Sequence, residues 1–284
     1  MTRGIRKART RTAAAAVLAG TLTVVCLVTA EASQDDTARS TACASRRAAP
    51  LLNVDYRDGS PNSGLPDLTT THAAAPDASS VVPSGDDHAV EHKVTLGDPD
   101  YVSDGAPRSE SATNKIPEGQ LRVGDERRYE FSLLLKDWKK WEPGDSSHGD
   151  IVFQGKHAGG NLPSFYLMTK RNSIAFRSPT LDLQATVVDD FREHLGTWMT
   201  FRVDVRWADD RTGYYKISTR MPGESCFTPR KTYQDVQTFH PKNPTTFGYI
   251  KWGLYRPGQS LADGDVPTRI VRHDNIRILD LAKN

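Results

Sequence analysis

The stretch Tyr249-Ile250-Lys251-Trp252-Gly253-Leu254-Tyr255-Arg256 has the alternating pattern of a β-strand. In a strand, successive side chains point to opposite faces, so this stretch divides into two sets. One face carries Ile250, Trp252 and Leu254, and the other carries Tyr249, Lys251, Gly253 and Tyr255. The first set predicts a buried face. The second combines two phenols and an ammonium with a glycine, which leaves an open patch where a ligand can approach the backbone. We expect this face to bind an anionic, ring-shaped ligand.

Similar short alternating segments recur from residue 51 to the C-terminus. They predict strands at 51–56, 88–96, 128–135, 151–154, 165–169, 173–177, 200–207, 214–219, 248–255 and 269–279. A helix is expected only at 187–194, and 62–87 is expected to be a loop. Short strands punctuated by Gly and Pro are typical of a sandwich. The sequence therefore predicts one all-β domain at 51–284, a jelly-roll β-sandwich of the concanavalin-like kind.

Chain length and charge limit the possible partners. The 284 residues, 37% of them hydrophobic, suffice for one sizeable core. Lys and Arg total 37 against 35 Asp and Glu, a net charge of +2. So small a net charge does not indicate a nucleic-acid-binding protein. Attraction to an anion must come from a local arrangement of side chains.

The N-terminus has the pattern of a secretory signal peptide. Basic residues precede an apolar run at 13–30, and Ala30-Glu31-Ala32 fits an A-x-A cleavage site. A membrane anchor is the alternative, because the run approaches membrane-spanning length. We expect a signal peptide at 1–32, a disordered lead at 33–50, and a secreted, extracellular protein. Cleavage would leave Cys43 and Cys226, which either pair or remain free thiols.

The strand at 249–255 resembles a strand of jelly-roll polysaccharide lyases, among them alginate lyases. Their Tyr-x-Lys-x-Gly-x-Tyr pattern matches at all four fixed positions. The Asn-Gln that follows in alginate lyases is Arg256-Pro257 here, which favours the heparin lyase I-like and glucuronan lyase-like groups. The resemblance implies that Tyr255 is a catalytic proton donor, and that Tyr249, Lys251 and Arg256 lie beside the substrate. A strand with an exposed polar face is the alternative.

A second resemblance lies at Arg108-Ser109-Glu110. It is similar to the first three residues of an Arg-Ser/Thr-Glu-x-Arg strand of these lyases, in which arginines contact the acidic sugar. The fifth position is Ala112 rather than arginine. The resemblance implies that Arg108 binds substrate, and a surface ion pair is the alternative.

The third resemblance, Gln154-Gly155-Lys156-His157, contains one residue too many. The lyase pattern is Gln-x-His, which places both side chains on one strand face. Here either Gly155 forms a bulge that returns His157 to that face, or Lys156 takes the position as a substrate contact. We expect the bulge, with Gln154 binding the substrate carboxylate and His157 as an alternative base. A loop histidine without a catalytic role remains open.

These residue types suit β-elimination on a uronic-acid polymer such as a glycosaminoglycan. The reaction needs donors that neutralise the carboxylate, a base for the C5 proton and an acid for the leaving oxygen. The sequence has no Glu-x-Asp-x-x-Glu strand that would supply the two carboxylates of a glycosidase, no Gly-x-Ser-x-Gly and no zinc-ligand spacing.

The resulting hypothesis is a secreted polysaccharide lyase; the alternative is a non-catalytic carbohydrate-binding module. We expect a monomer that binds an acidic polysaccharide, with no nucleic acid, no membrane contact after signal cleavage and no cofactor. Asp263-Gly264-Asp265 is a weak structural Ca²⁺ candidate.

Overall fold

The chain folds into two antiparallel sheets. The computed structural model describes residues 49–159, 162–240 and 246–283. The predicted signal peptide, nearly all of the predicted lead and Cys43 lie outside these residues. The described residues contain strands and 3-10 helices and no α-helix, which confirms the predicted all-β class.

The strands are β1 (Leu52–Val54), β2 (Ser79–Ser84), β3 (Asp87–Thr95), β4 (Val102–Ser103), β5 (Ala106–Ala112), β6 (Gln120–Leu121), β7 (Glu126–Lys136), β8 (Ile151–His157), β9 (Phe165–Lys170), β10 (Ser173–Ser178), β11 (Leu183–Val188), β12 (Met199–Arg206), β13 (Gly213–Arg220), β14 (Thr228–Val236), β15 (Gly248–Tyr255) and β16 (Thr268–Asp280). The 3-10 helices are Pro99–Tyr101, Pro117–Gly119, Arg192–His194 and Gly258–Leu261.

Each sheet of the sandwich has eight strands. The first has the order β14-β13-β12-β7-β16-β3-β2, and β1 pairs with β16. The second has the order β11-β10-β9-β8-β15-β5-β4, and β6 pairs with β15. Several neighbours at the centre of each sheet, among them β12-β7, β7-β16 and β8-β15, are not consecutive in the chain, which is typical of the jelly roll.

The core lies between the two sheets and is largely aromatic. Phe131 of β7 stacks on Phe153 of β8 with ring centroids 4.0 Å apart, and Phe201 of β12 lies 5.4 Å from Phe131. The alternate apolar residues of β7 and β12 are fully buried, as the sequence predicts, but the residues between them in β7, from Glu130 to Leu134, are also nearly buried. Aromatic pairs at these distances add to the free energy gained by burying their area.

Strand β15 lies in the middle of the second sheet, between β8 and β5. Ile250, Trp252 and Leu254 are fully buried, as predicted. The indole Nε1 of Trp252 donates to the Tyr56 hydroxyl at 2.8 Å, which satisfies the one polar atom of a buried ring. The other face of β15 is therefore held rigidly by the core beneath it.

Two local predictions are wrong, and one long strand was not predicted. Residues 187–194 do not form an α-helix, since β11 continues through the β-branched Val187 and Val188 and only Arg192–His194 turns as a 3-10 helix. The predicted loop 62–87 contains β2. Strand β14 was not predicted, because it is a largely exposed edge strand without apolar alternation.

Two further findings concern the helices and the cysteines. Among the described residues, no helix is long and apolar enough to cross a membrane. Cys226 is disulfide-bonded. Because Cys43 lies outside the described residues, its pairing with Cys226 stays a prediction.

Candidate active site

Strands β5, β15 and β8 carry polar side chains on the outer face of the second sheet, which we call the site face. Three register relationships organise it. Lys251 lies opposite Gln154 on β8, Tyr249 opposite Lys156, and Tyr255 opposite Arg108 on β5. The residues between them face the core, so strand periodicity collects the polar ones on one surface.

A buried carboxylate, Glu110 of β5, is the centre of the site face. Lys251 Nζ donates to one of its oxygens at 2.6 Å, and the Gln154 side-chain amide donates to the other. The guanidinium of Arg108 lies 4.0 Å away. Glu110 is only 5% exposed. Because burying an unpaired carboxylate is very costly, these donors are what allow the charge to stay there.

A pocket of about 70 Å³ opens beside this network. Strand β5, strand β15 and the residues next to them line it with Arg108, Glu110, Ala112, Asn114, Tyr249 and Lys251. Strand β4 and neighbouring loops line it with Ser103, Asp104, Thr69, Thr70 and His72. The backbone of Thr69 exchanges hydrogen bonds with Ala112 at 3.1 and 2.8 Å. Ala112, the fifth position of the stretch that begins at Arg108, therefore lies beneath the loop that carries Thr69.

Tyr255 and Arg108 form a stacked pair at one end of the site face. The Arg108 guanidinium lies 4.5 Å from the centre of the Tyr255 ring, a cation–π contact. A register shift between Trp252 and Tyr255 places Tyr255 opposite Ile151 of β8. Gly253, inside this shift, has φ +143°.

The open patch expected above Gly253 is absent. A Cβ on Gly253 would lie 2.3 Å from the Ser109 carbonyl oxygen and 2.6 Å from Glu110 Cα. Glycine is required because the β5 backbone passes too close for any side chain. Its role is to shape the strand rather than to admit a ligand.

The bulge expected at Gly155 is also absent. Pairing between β8 and β15 is regular from Gly248 to Trp252, so Lys156 shares the site face with Gln154. Gly155 faces the core, where a Cβ would meet the Phe165 ring at 2.5 Å. Glycine makes room for an aromatic ring there, and the backbone stays regular.

His157 consequently lies on the opposite face from the site, which corrects its predicted position. It is 2% exposed, its Nε2 lies 2.7 Å from the Ser164 hydroxyl, and its ring packs edge-on against Phe239. Burial, followed by the nearby charge of His240, lowers the pKa of His157 to about 4. A buried histidine on the core side cannot reach a substrate on the site face.

Lys156 and Tyr249, opposite each other in register, have pKa values shifted in opposite directions. Burial lowers the pKa of Lys156, and the charges of Lys251 and Arg108 lower it further. Burial raises the pKa of Tyr249, and the carboxylates of Glu110 and Asp104 add to that shift. The site face thus holds an amine that loses its proton more readily than usual beside a phenol that keeps its proton.

Arg256 does not lie on the site face, which corrects its predicted role as a substrate contact. It is fully buried, donates to the Val266 carbonyl at 2.6 Å and to Asp265 at 3.0 Å, and lies 3.6 Å from Asp150. Arg256 therefore ties the chain after β15 to the segment before β16.

The two carboxylates of the predicted Ca²⁺ candidate, Asp263 and Asp265, already have side-chain partners. Asp265 accepts from Arg256 and Arg269, and Asp263 lies 2.7 Å from His148 Nε2. Within residues 49–159, 162–240 and 246–283, no group of three or more His, Cys, Asp or Glu side chains could hold a metal ion. The absence of a cofactor stays a prediction.

Comparison with known proteins identifies the family of the chain. The family model described as polysaccharide lyase matches residues 62–277, most of the chain. The chain belongs to the polysaccharide lyase family. Among curated protein sequences, none matches it.

Two solved structures illustrate the shared fold of this polysaccharide lyase family member. An endo-β-1,4-glucuronan lyase from the fungus Trichoderma reesei is 17% identical, with a TM-score of 0.51, over 75% of this chain and 86% of that chain. An alginate lyase from the marine Aplysia kurodai is 13% identical, with a TM-score of 0.57, over 82% of this chain and 100% of that chain. The predicted resemblance to jelly-roll polysaccharide lyases is confirmed.

Two side chains of this lyase family member were not predicted as site residues. Glu110 was noted only as part of a motif, although it accepts hydrogen bonds from two predicted site residues, Lys251 and Gln154. His72 lines the pocket 3.7 Å from Asp104. It lies in the predicted loop 62–87, where no periodic pattern indicates which way a side chain points.

Proposed function

We propose that this protein is a secreted lyase that cleaves a uronic-acid-containing polysaccharide by β-elimination. One observation carries the proposal: Arg108, Lys251 and Gln154 surround a carboxylate at the floor of an open pocket. Donors that hold the Glu110 carboxylate are also suited to a substrate carboxylate that enters beside it. The N-terminal signal pattern supports export.

The reaction sets the requirements. A base removes the C5 proton, a C4–C5 double bond forms, and the bond from C4 to the glycosidic oxygen breaks with both of its electrons going to oxygen. That oxygen then receives a proton. Negative charge develops on the substrate carboxylate in between, so fixed cations and amide donors lower the barrier. In this mechanism, Arg108, Lys251 and Gln154 stabilise that charge.

Tyr255 is the proposed proton donor to the leaving oxygen. Its phenol lies on the site face, and the resemblance to lyases assigns the acid to this position. The Arg108 guanidinium 4.5 Å from its ring provides a cation beside the phenol when it gives up its proton.

Lys156 is the proposed base, because His157 faces the core. It occupies the site face two residues after Gln154, where related lyases have histidine. A base must be unprotonated to act, and the lowered pKa of Lys156 increases that fraction near neutral pH. Tyr249 and His72 line the adjoining pocket and contact neighbouring sugars in this proposal.

The test is turnover on a panel of uronic polymers: glucuronan, alginate, hyaluronan and heparin. Elimination creates a conjugated double bond, so the product is followed by its ultraviolet absorbance. We expect activity on at least one polymer, abolished in Tyr255→Phe. Tyr249→Phe is the matched control, a phenol on the same strand and face, and should retain measurable turnover.

The outcomes separate the two functions considered. Binding of a polymer without absorbance change would identify a non-catalytic carbohydrate-binding module and overturn the lyase proposal. Full activity in Tyr255→Phe would move the acid role to another residue. Each variant is checked for an unchanged circular dichroism spectrum, so that lost activity is not confused with unfolding.

A further inference from the structure

A second pocket lies on the site face, far from the first. It has a volume of about 450 Å³ and is lined by Trp141, Lys170, Arg171, Asn172, Ser173, Gln184 and Asp189. We call it the Trp141 pocket. The pocket combines two cations, the one carboxylate of Asp189, an indole and several hydrogen-bonding groups, so cations outnumber anions in an open depression that suits an anionic sugar.

A row of polar side chains connects the two pockets. Gln154 is in register with Lys251 on one side and with Tyr166 of β9 on the other. Tyr166 is in register with Arg177 of β10, which is in register with Gln184 of β11. Four strand spacings of ~4.8 Å put Gln184 ~19 Å from Lys251. That distance corresponds to several sugar units of a chain lying across the strands.

The Trp141 ring is fixed in place. Its indole N–H donates to the carbonyls of Ser146 and Asp145 at 3.1 and 3.2 Å. Its backbone exchanges two hydrogen bonds with the Asn172 side chain, at 2.9 and 3.0 Å. The loop before β8 is therefore clamped to the turn between β9 and β10. A rigid aromatic ring binds with little loss of conformational entropy.

Arg171 is held in an unfavourable backbone conformation. Its φ is +56°, a region that favours glycine, and it occupies the turn between β9 and β10. Its guanidinium lies 4.9 Å from the centre of the Trp141 ring. Stacking in this way leaves the N–H edge of the guanidinium available to an anion.

We propose that the Trp141 pocket is a distal subsite for the acidic polysaccharide. Arg171 and Lys170 bind a carboxylate or sulfate of a sugar several units away from the cleaved bond, and the indole contacts the ring of that sugar. The inference rests on the proposed function for the identity of the ligand. It adds that the protein favours long chains over short ones.

The decisive variant is Arg171→Gly. Glycine adopts this φ without strain, so the variant should be no less stable than the original protein. Arg211→Gly is the charge-matched control, an exposed arginine in the turn between β12 and β13 of the other sheet. Loss of a charge-assisted contact should raise KM for the polymer about tenfold in Arg171→Gly and leave KM for a trisaccharide unchanged. Arg211→Gly should change neither.

Polymer binding, measured by calorimetry in the Tyr255→Phe background, separates this inference from the lyase proposal. Weaker binding in Arg171→Gly without any turnover in the unmodified protein would sustain the subsite and overturn the lyase. Equal effects on polymer and trisaccharide, or unchanged polymer affinity, would overturn the subsite while the lyase stands. Failure of every uronic polymer to bind the unmodified protein would overturn both.

Discussion

Lys251 Nζ lies 2.6 Å from Glu110 Oε2, and the two side chains are only 10% and 2% exposed. Removing one partner of a buried ion pair leaves the other charge without compensation. We expect Lys251→Met to lower the free energy of unfolding by about 3–5 kcal/mol. Urea denaturation followed by circular dichroism measures it.

Lys139→Met is the control, because Lys139 also lies 2.6 Å from a carboxylate, that of Asp145, but is 45% exposed. An exposed pair contributes about 0–1 kcal/mol. If Lys251→Met and Lys139→Met lowered the free energy of unfolding equally, burial would not be what makes the Lys251–Glu110 pair important for stability.

The Gly253 conformation predicts a second stability difference. In Gly253→Ala, the new Cβ would lie 2.3 Å from the Ser109 oxygen, at a φ of +143°. The adjoining strands must separate, so we expect a loss of stability and of Tyr255-dependent turnover. Gly223→Ala is matched, since φ is +84° but a Cβ would meet no described atom within 4 Å. It should cost only about 1 kcal/mol. Similar melting temperatures for both variants would contradict the close approach of β5.

Replacing the proposed base should change the pH dependence of turnover. A base acts when unprotonated, so kcat/KM rises with pH through its pKa. Lys156→His introduces a group with an ordinary pKa of about 6.5, which should move the acidic limb of the profile to lower pH. Lys156→Arg keeps the charge and cannot give up its proton, so it should be inactive. An active Lys156→Arg would exclude Lys156 as the base.

His157 should be dispensable for turnover. It faces the core beside Ser164 and Phe239, so His157→Gln should retain most of the kcat while its melting temperature falls. The measurement is kcat at saturating polymer, at a temperature where the variant is folded. Loss of turnover in a folded His157→Gln would return the histidine to the catalytic site.

The sequence predicts the features that depend on local strand geometry, and it does not predict those that depend on distant segments. Strand periodicity predicted the buried face of β15 and the core residues of β7 and β12, because alternation depends only on local geometry. It also placed Tyr249, Lys251 and Tyr255 on one face. The roles of the glycines could not be predicted, because the sequence pattern does not show which neighbouring segment passes close to each one. Gly155 makes room for Phe165, and Gly253 for the β5 backbone.

Residues whose roles depend on distant segments were not predictable. Arg256 follows the site strand directly, yet its partners Asp150 and Asp265 come from other parts of the chain and draw it inward. His72 reaches the pocket only because Thr69 pairs with Ala112. A one-residue change in spacing after Gln154 was visible, but choosing between Lys156 and His157 required the register of β8 against β15.

A buried histidine beneath the site face predicts how stability depends on pH. His92 is fully buried, and its Nδ1 lies 2.8 Å from the Ser109 hydroxyl. Burial, and then the positive charge of Lys251, lower the pKa of His92 to about 3. In the unfolded chain it titrates near its ordinary value of about 6.5. The folded value is the lower one, so the contribution to stability is complete above about pH 6.5 and is lost as pH falls from there towards 3.

At pH 5 the loss from this one group should be about 2 kcal/mol relative to pH 7.5. His92→Asn removes the titration while keeping a polar side chain. Its free energy of unfolding should therefore decline less between the two pH values than that of the unmodified protein, although it is lower at pH 7.5. Acid-sensitive groups far from His92 are common to both proteins and cancel in the difference. His273, whose ring lies 6.4 Å from that of His92, has a pKa lowered by burial and then by His92, so the substitution removes this second contribution as well. Parallel declines would mean that the His92 imidazole accepts a proton without unfolding the site strand above it.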